Sequence, residues 1–210
     1  SKYAGSGRAF VFSAIDGRAA AVHAISDPIK LSAKPALSVL RASRHELVML
    51  TGDHASTASE VAQSLGISDF RAEVAPGEKA DVVRGLVQAG KVVAFVGDGI
   101  NDAPALATSS VGIAIGGGAD IAIEAADVVL PSGDLAGVVR ALALARRTLR
   151  IIHGNFFWAY AYNAALVPLA AGVLVPIWGV SLHPMLAAAA MSVSSLFVVG
   201  NSLRLRRFAV

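Results

Sequence analysis

The sequence predicts an α/β fold, a doubly wound parallel sheet, followed by a two-helix transmembrane hairpin. Three observations predict it. Strand-like and helix-like segments alternate from Ser32 to Leu130, the pattern of a parallel sheet with crossover helices. The apolar strands end abruptly in Gly, Thr and Asp, placing polar groups at the carboxyl edge where open α/β sheets bind ligands. Charge also stops short: all fifteen acidic residues lie between Asp16 and Asp134, and after Arg150 the only charged residues are Arg204, Arg206 and Arg207.

At 210 residues the chain can form one good-sized domain with an appendage. A hydrophobic content of 55% with mean hydropathy +0.61 is too apolar for an ordinary soluble domain. Fifteen Lys and Arg up to Arg150 balance the acidic residues, so the net charge of +3 belongs to the tail. That distribution speaks against a nucleic-acid-binding face. The absence of cysteine excludes disulfides and thiolate metal sites within this chain. Nothing near Ser1 resembles a signal peptide, and the chain reads as starting part-way through a longer protein.

Residues Ala9 to Ile15 and Ala19 to Ile25 flank Asp16-Gly17 as a β-hairpin does. Such a hairpin is marginal alone, so residues 1–26 read as the end of a larger domain. Asp27-Pro28-Ile29-Lys30 follows as a hinge or an ordinary turn, with Pro28 disfavouring helix at Asp27. The α/β domain is assigned to 27–152. It starts with a helix from Ser32 to Ser43 and a strand from Glu46 to Leu50. A helix from Ser56 to Leu65 ends at Gly66, a C-cap glycine. A strand from Phe70 to Val74 leads into a helix from Pro76 to Ala89, closed by Gly90. The central strand begins at Val92. Short strands at Val111 to Ile115 and Asp127 to Leu130 bracket a turn at Gly116 to Gly118 and a helical segment near Ile121. Those glycines lack dinucleotide-binding spacing and are read as a turn. A helix from Leu135 to about Ile152 completes the domain.

Residues 153–210 hold the expected hairpin and a basic tail. Asn155 to Gly179 and Pro184 to Leu203 carry no charge, and each matches the roughly 20 residues a bilayer requires. Trp158, Tyr160 and Trp178 sit where interfacial aromatics sit, and arginines flank both outer ends. The positive-inside rule then puts both ends in the cytoplasm and the loop Gly179 to His183 outside. A helical hairpin buried in a soluble protein is the competing reading.

Three polar stations stand in order along the sheet edge: Thr51-Gly52-Asp53, Lys79, and Asp98 with Asn101 and Asp102. A hydroxyl and nearby amides can hold a phosphoryl oxygen, a lysine can neutralise its charge, and carboxylates can hold Mg2+. Taken singly, each has a plain structural explanation: an Asp-Gly turn or a surface lysine. Either Asn101 or Asp102 is placed to cap the following helix.

Thr51-Gly52-Asp53, Pro76-x-x-Lys79 and Val96-Gly97-Asp98-Gly99-Ile100-Asn101-Asp102-Ala103-Pro104 resemble the phosphorylation domain of P-type ATPases, a branch of the haloacid-dehalogenase fold. Asp27-Pro28-Ile29-Lys30 is similar to that family's link from nucleotide-binding to phosphorylation domain. The resemblance covers essentially the whole chain. It implies that Asp98 coordinates Mg2+ with support from Asn101 and Asp102, that Lys79 and Thr51 contact the phosphoryl group, and that Asp53 lies near the ATP. His54 departs from the asparagine common in relatives. The family's aspartyl nucleophile sits in Asp-Lys-Thr-Gly-Thr, and no aspartate here is followed by lysine. The expectation is therefore the carboxyl-terminal part of a pump, inactive without its upstream part.

In the hairpin, Tyr162 and Asn163 fall in the middle of the first span, and Met191, Ser194 and Ser195 in the middle of the second. Polar groups at mid-membrane either pair between helices or serve a function. A thioether favours Cu(I), and the missing carboxylate argues against Zn2+ or Ca2+. Tyr-Asn-x-x-x-x-Pro, Met-x-x-Ser-Ser and Asn201-Ser202-Leu203-Arg204 resemble the Cu(I) branch of heavy-metal P-type ATPases. That resemblance implies a multi-pass protein of the plasma or inner membrane, a Cys-Pro-Cys on an earlier helix and a soluble copper donor as partner. A membrane-tethered regulatory module, or transport of Zn2+ or Cd2+, is the alternative.

Overall fold

The computed structural model describes residues 9–25, 28–98, 100–116, 124–173, 175–179 and 184–207. Two compact units divide the chain, Ser1–Val139 and Arg140–Val210. In the first, strands β1 (Ala9–Ile15) and β2 (Arg18–Ile25) form the expected antiparallel hairpin. Asp16 and Gly17 both take positive φ, 49° and 75°, the backbone of the type I′ turn that an Asp-Gly pair favours. Of the expected hinge, Asp27 lies outside the described residues. Lys30 donates a hydrogen bond to the Gly133 carbonyl.

Helix α1 (Ala33–Ala42) precedes β3 (Val48–Leu50), α2 (Ala55–Leu65), β4 (Asp69–Arg71), α3 (Pro76–Gln88) and β5 (Ala94–Gly97). A 3-10 turn at Ile100–Asp102 leads to α4 (Ala103–Thr108), β6 (Val111–Ile115) and β7 (Val128–Leu130). Every pairing after the hairpin is parallel, as the alternation requires: β3 with β4, and β5 with β6 with β7. These form two separate hydrogen-bonded pieces rather than one sheet. The expected helix near Ile121 and the turn residues Gly117 and Gly118 lie outside the described residues.

Strands are shorter than expected because local polar chemistry claims their ends. β3 starts at Val48, opposite the first residue of β4, and Glu46 before it bonds to Lys91, which holds the Glu46 carboxyl below the usual carboxylate range. Glu73 adopts φ 56°, which an extended strand cannot, so β4 stops at Arg71. Gly66 and Gly90 close their helices as expected, at φ 69° and 81°. Arg41 adds a side-chain cap, donating to the Gly66 carbonyl at 2.7 Å.

Small residues set how closely these elements approach. Ala80 and Val83 of α3 meet Ala105 of α4 in a core completed by Val87, Val93 and Phe95. Gly112 of β6 lies so near α4 that a Cβ there would stand 2.7 Å from the Leu106 carbonyl oxygen.

The second unit is helical. Helix α5 (Leu135–Ala170) begins in the first unit and continues past Ile152, where a stop was expected. A single Gly154 is too weak a breaker, and Asn155 spends its amide on another helix rather than on its own backbone. After Pro168 the helix ends, Gly172 turns at φ 80°, and a short α6 (Val175–Trp178) follows. Helix α7 (Pro184–Leu203) and a 3-10 turn (Arg204–Arg207) complete the unit. The first expected span is thus a helix, a turn and a short helix. Among the described residues no helix is long and apolar enough to cross a membrane. The loop residues 180–183 lie outside the described residues.

Gly112→Ala should lower the unfolding free energy by about 1–3 kcal/mol through overpacking against α4. Urea denaturation measures this, and an unchanged midpoint would mean that α4 is free to move away.

Candidate functional site

The site is built at strand ends. Thr51 leaves β3 and turns at once: its hydroxyl donates to Asp53 Oδ2 at 2.8 Å and accepts from the Asp53 N–H at 3.1 Å. The turn is stitched to the segment after β4. Thr51 N–H donates to the Arg71 carbonyl, Val74 N–H to the Thr51 carbonyl and Glu73 N–H to the Asp53 carbonyl, at 2.9 to 3.0 Å. That segment runs straight into α3, whose start follows from sequence: Pro76 needs no N–H partner in the first turn, and Glu78 accepts the Ala75 N–H at 2.8 Å. Ala75 has no side-chain oxygen, so only the glutamate half of a capping box exists.

Lys79, one turn into α3, reaches Asp102. Its Nζ lies 2.8 Å from Asp102 Oδ1, with side chains only 17% and 12% exposed. Asp102 was expected either to cap α4 or to support a cation. Its side chain makes no cap hydrogen bond and goes to the lysine instead. Gly97, at the end of β5, makes room for this, because a Cβ there would stand 2.6 Å from Asp102 Oδ2. Asp98 and Asn101 are exposed beside the pair, and Gly99 lies outside the described residues.

The structure therefore brings together Lys79 and Asp102, and separately Thr51 with Asp53. Among the described residues no hydrogen bond or ion pair joins the two groups directly; the 71–74 segment and α3 connect them. No group of three His, Asp or Glu side chains that could hold a metal occurs among the described residues. The donor set is one exposed carboxylate, Asp98, next to a second whose Oδ1 is already shared with an ammonium. Such a set fits Mg2+, which keeps most of its waters and takes one or two carboxylates plus phosphate. It does not make an all-protein cage.

Sequence reasoning missed two neighbours. Glu73 and His54 face each other across the rim of the Thr51 turn, with His54 Nδ1 2.9 Å from Glu73 Oε1. The hydrogen bond from His54 holds the Glu73 carboxyl below its usual range. No pattern marked Glu73, because its position depends on an uncommon backbone angle. The Glu78 cap was legible, from Pro at the first helical position with Glu two residues later.

In the second unit, Tyr162 and Asn163 lie on α5, and Asn163 Nδ2 donates to its own helix at the Ala159 carbonyl, 3.0 Å away. Met191, Ser194 and Ser195 lie on α7. The side chains of Met191 and Trp178 lie outside the described residues. A contact sequence reasoning did not foresee joins the helices: Asn201 Nδ2 donates to Asn155 Oδ1 at 2.7 Å, and Asn155 Nδ2 to Ser202 Oγ at 3.1 Å.

Comparison with known proteins bears on both units. The family described as haloacid dehalogenase-like hydrolase matches residues 3–109, and a second family of the same description matches residues 84–142. The chain is 56% identical over 201 residues to copper-transporting ATPase 1 of Rhizobium meliloti, covering 96% of this chain and 24% of that protein. It is 48% identical to a copper-exporting P-type ATPase of Legionella pneumophila, covering 97% of this chain and 28% of the relative. A zinc-transporting PIB-type ATPase in its E2.Pi state superposes with TM-score 0.81 at 32% identity, over 97% of this chain and 32% of that one. The chain thus spans about a quarter of the length of the curated relatives it matches.

Two outcomes follow from this geometry. Gly97→Ala should push Asp102 off Lys79 and lower stability by about 1–3 kcal/mol through overpacking against the carboxylate. Chemical denaturation of this variant beside Asp102→Asn tests it, and a wild-type midpoint for Gly97→Ala would show that the carboxylate has other room. His54→Ala should raise the Glu73 pKa towards the ordinary glutamate value, as read by NMR titration. The stability that the pair adds is present above the unfolded glutamate pKa and lost as pH falls through the lowered folded value. An unmoved Glu73 titration would mean the contact is not formed in solution.

Proposed function

The chain belongs to the haloacid dehalogenase-like hydrolase family, and we propose that it is the carboxyl-terminal part of an ATP-driven heavy-metal pump that moves Cu(I). The observation that carries this reading is the part-buried Lys79–Asp102 pair beside exposed Asp98 at the end of a parallel strand. The arrangement suits a phosphoryl group. Lys79 keeps N–H donors beyond the one given to Asp102, and Thr51, at the end of β3, would turn its hydroxyl from Asp53 to a phosphoryl oxygen. Asp98, with Asn101 and Asp102 beside it, would hold Mg2+, which neutralises charge on the phosphoryl oxygens. Asp53 and Gly52 lie on the ATP side.

The acceptor aspartate comes from elsewhere in the longer protein, since no Asp-Lys run exists here. Among the described residues β3 pairs with β4 alone and β5 with β6 alone, which supports an edge at each where such a segment would pair. An extended segment carrying Asp-Lys-Thr-Gly-Thr would complete the sheet and bring its carboxylate to Lys79 and Asp98. Without it the chain forms no phosphoenzyme.

The two-helix unit is the membrane part in this reading, with both ends on the cytoplasmic side. Support comes from its charge-free length, from Phe156, Phe157, Trp158 and Tyr160 exposed on α5, and from Leu196, Phe197 and Val199 exposed on α7. Tyr162, Asn163, Met191, Ser194 and Ser195 are the residues proposed for the transported ion. Copper-transporting relatives at 48% to 56% identity favour Cu(I) over the Zn2+ of the 32% identical solved structure. With no acidic residue after Asp134, the unit offers soft and neutral donors only, which suits Cu(I).

In the intact pump, Cu(I) should stimulate ATP hydrolysis more strongly than Zn2+, and Asp98→Ala should abolish Mg2+-dependent phosphoenzyme formation from ATP. Radiolabelled ATP and acid quenching measure the second. Normal labelling of Asp98→Ala would remove the phosphoryl-transfer reading, and equal stimulation by the two metals would remove the Cu(I) reading alone.

A further inference from the structure

The contacts between α5 and α7 define a register. Asn201 Nδ2 donates to Asn155 Oδ1 at 2.7 Å, and Asn155 Nδ2 donates to Ser202 Oγ at 3.1 Å. Arg204 Nη1 donates to the Asn201 Oδ1 at 3.3 Å. One carboxamide thus gives and the other receives, and all three clasp residues are half-buried. Further along, the rings of Trp158 and Phe197 meet edge to face, 5.7 Å between centroids. Partners fall in number on α7 as they rise on α5, so the helices run antiparallel.

Helical geometry carries this register to the proposed ion residues. Both helices are unbroken over the stretch concerned. Tyr162 is seven residues beyond Asn155; Ser194 and Ser195 are each seven residues before Asn201 and Ser202. Seven residues are two turns, about 10.5 Å along the axis and about 20° from facing the same way. Each clasp residue therefore has its image two turns away, on the same face and in the same order. Asn163 is turned about 100° further round than Tyr162, in keeping with its hydrogen bond to its own helix.

We propose that Asn155, Asn201 and Ser202 form a register lock that holds Tyr162 of α5 against Ser194 and Ser195 of α7. They are positioning residues. They touch no ion, and act by fixing which residues of the two helices stand level. This rests on the pump reading for its purpose, though not for its geometry. Two long apolar helices with small and aliphatic surfaces can slide or rotate at little cost, because lipid-like surroundings give no hydrophobic penalty for slippage. With Asn155 accepting from Asn201 and donating to Ser202, the clasp has one satisfied register, and a slip by one residue leaves half-buried donors unpaired. Of the two adjacent residues read from sequence, Tyr162 and not Asn163 is the one this lock aims at α7.

The chain has no cysteine, so paired cysteines can report register directly. In the full chain in lipid nanodiscs, Tyr162→Cys with Ser194→Cys should cross-link through a short bifunctional thiol reagent, as read by mass spectrometry. Asn163→Cys with Ser194→Cys should cross-link about threefold to tenfold less, and Asn155→Ala or Asn201→Ala should reduce the Tyr162 pair by a similar factor. Asn155→Ala removes both interhelical bonds, so Ser202→Ala, which removes one, should give a smaller loss than Asn155→Ala, and this keeps the test sound if the alanine variants at asparagine fold poorly. Exchanging partners, Asn155→Ser with Ser202→Asn, should restore the yield, which a merely loosened bundle would not do. Unchanged yields in the clasp variants, equal yields for the 162 and 163 pairs, or failure of the exchange to rescue would each overturn the lock. No metal enters this assay, so a pump that ignores Cu(I) would defeat the transport reading and leave the lock standing.

Discussion

The ammonium of Lys79 and the carboxylate of Asp102 stand 2.8 Å apart with little of either exposed, and much of the first unit is arranged to make that contact. Two charges withdrawn from water are costly, and their attraction roughly offsets the desolvation, so the pair adds little net stability. Its effect is positional. Lys79 is held by its own helix and by a carboxylate from another element, so its ammonium is fixed at the strand ends. Ala80, Val83 and Ala105 lie just beneath and let α3 and α4 approach closely. Gly97 carries no side chain where Asp102 must pass.

A second constraint ties the Thr51 turn to the same place without touching it. The turn accepts and donates backbone hydrogen bonds across to residues 71–74, and those residues lead into α3. Thr51 and Lys79 are thus joined through a few residues of rigid backbone. Glu73 takes a left-handed angle, φ 56°, within this connection. A non-glycine residue there is strained, and its side chain is held outward by His54. The departure at His54, plain in the sequence, acquires a physical role only when Glu73 is seen opposite it.

Much of this was legible in the sequence, for reasons that differ by element. Parallel pairing followed from alternation, the hairpin from Asp16-Gly17, and the helix ends from Gly66 and Gly90, because each depends on chemistry within a few residues. Thr51, Lys79, Asp98 and Asp102 were recognisable as stations along strand ends. The Lys79–Asp102 pairing was not, since a charge can cap, coordinate or pair, and only packing at Gly97 decides. Strand ends were misjudged where Glu46 and Glu73 took partners elsewhere in the chain. The helix boundary near Ile152 was misjudged because composition changes there while backbone geometry does not: α5 runs through it unbroken.

The last of these differences changes how the second unit is understood. Polar residues near Asn155 and Asn201 read as flanks of apolar segments, of interest only for where those segments begin and end. Paired across the two helices, they become a directional contact, unlike the aromatic contact of Trp158 with Phe197, which tolerates sliding. The ion site proposed for the two helices would consist of neutral donors and would need such a fixed reference, because no carboxylate follows Asp134 to define its geometry. On the proposed transport reading, specificity for a soft ion would depend on residues two turns away from it as well as on the donors themselves.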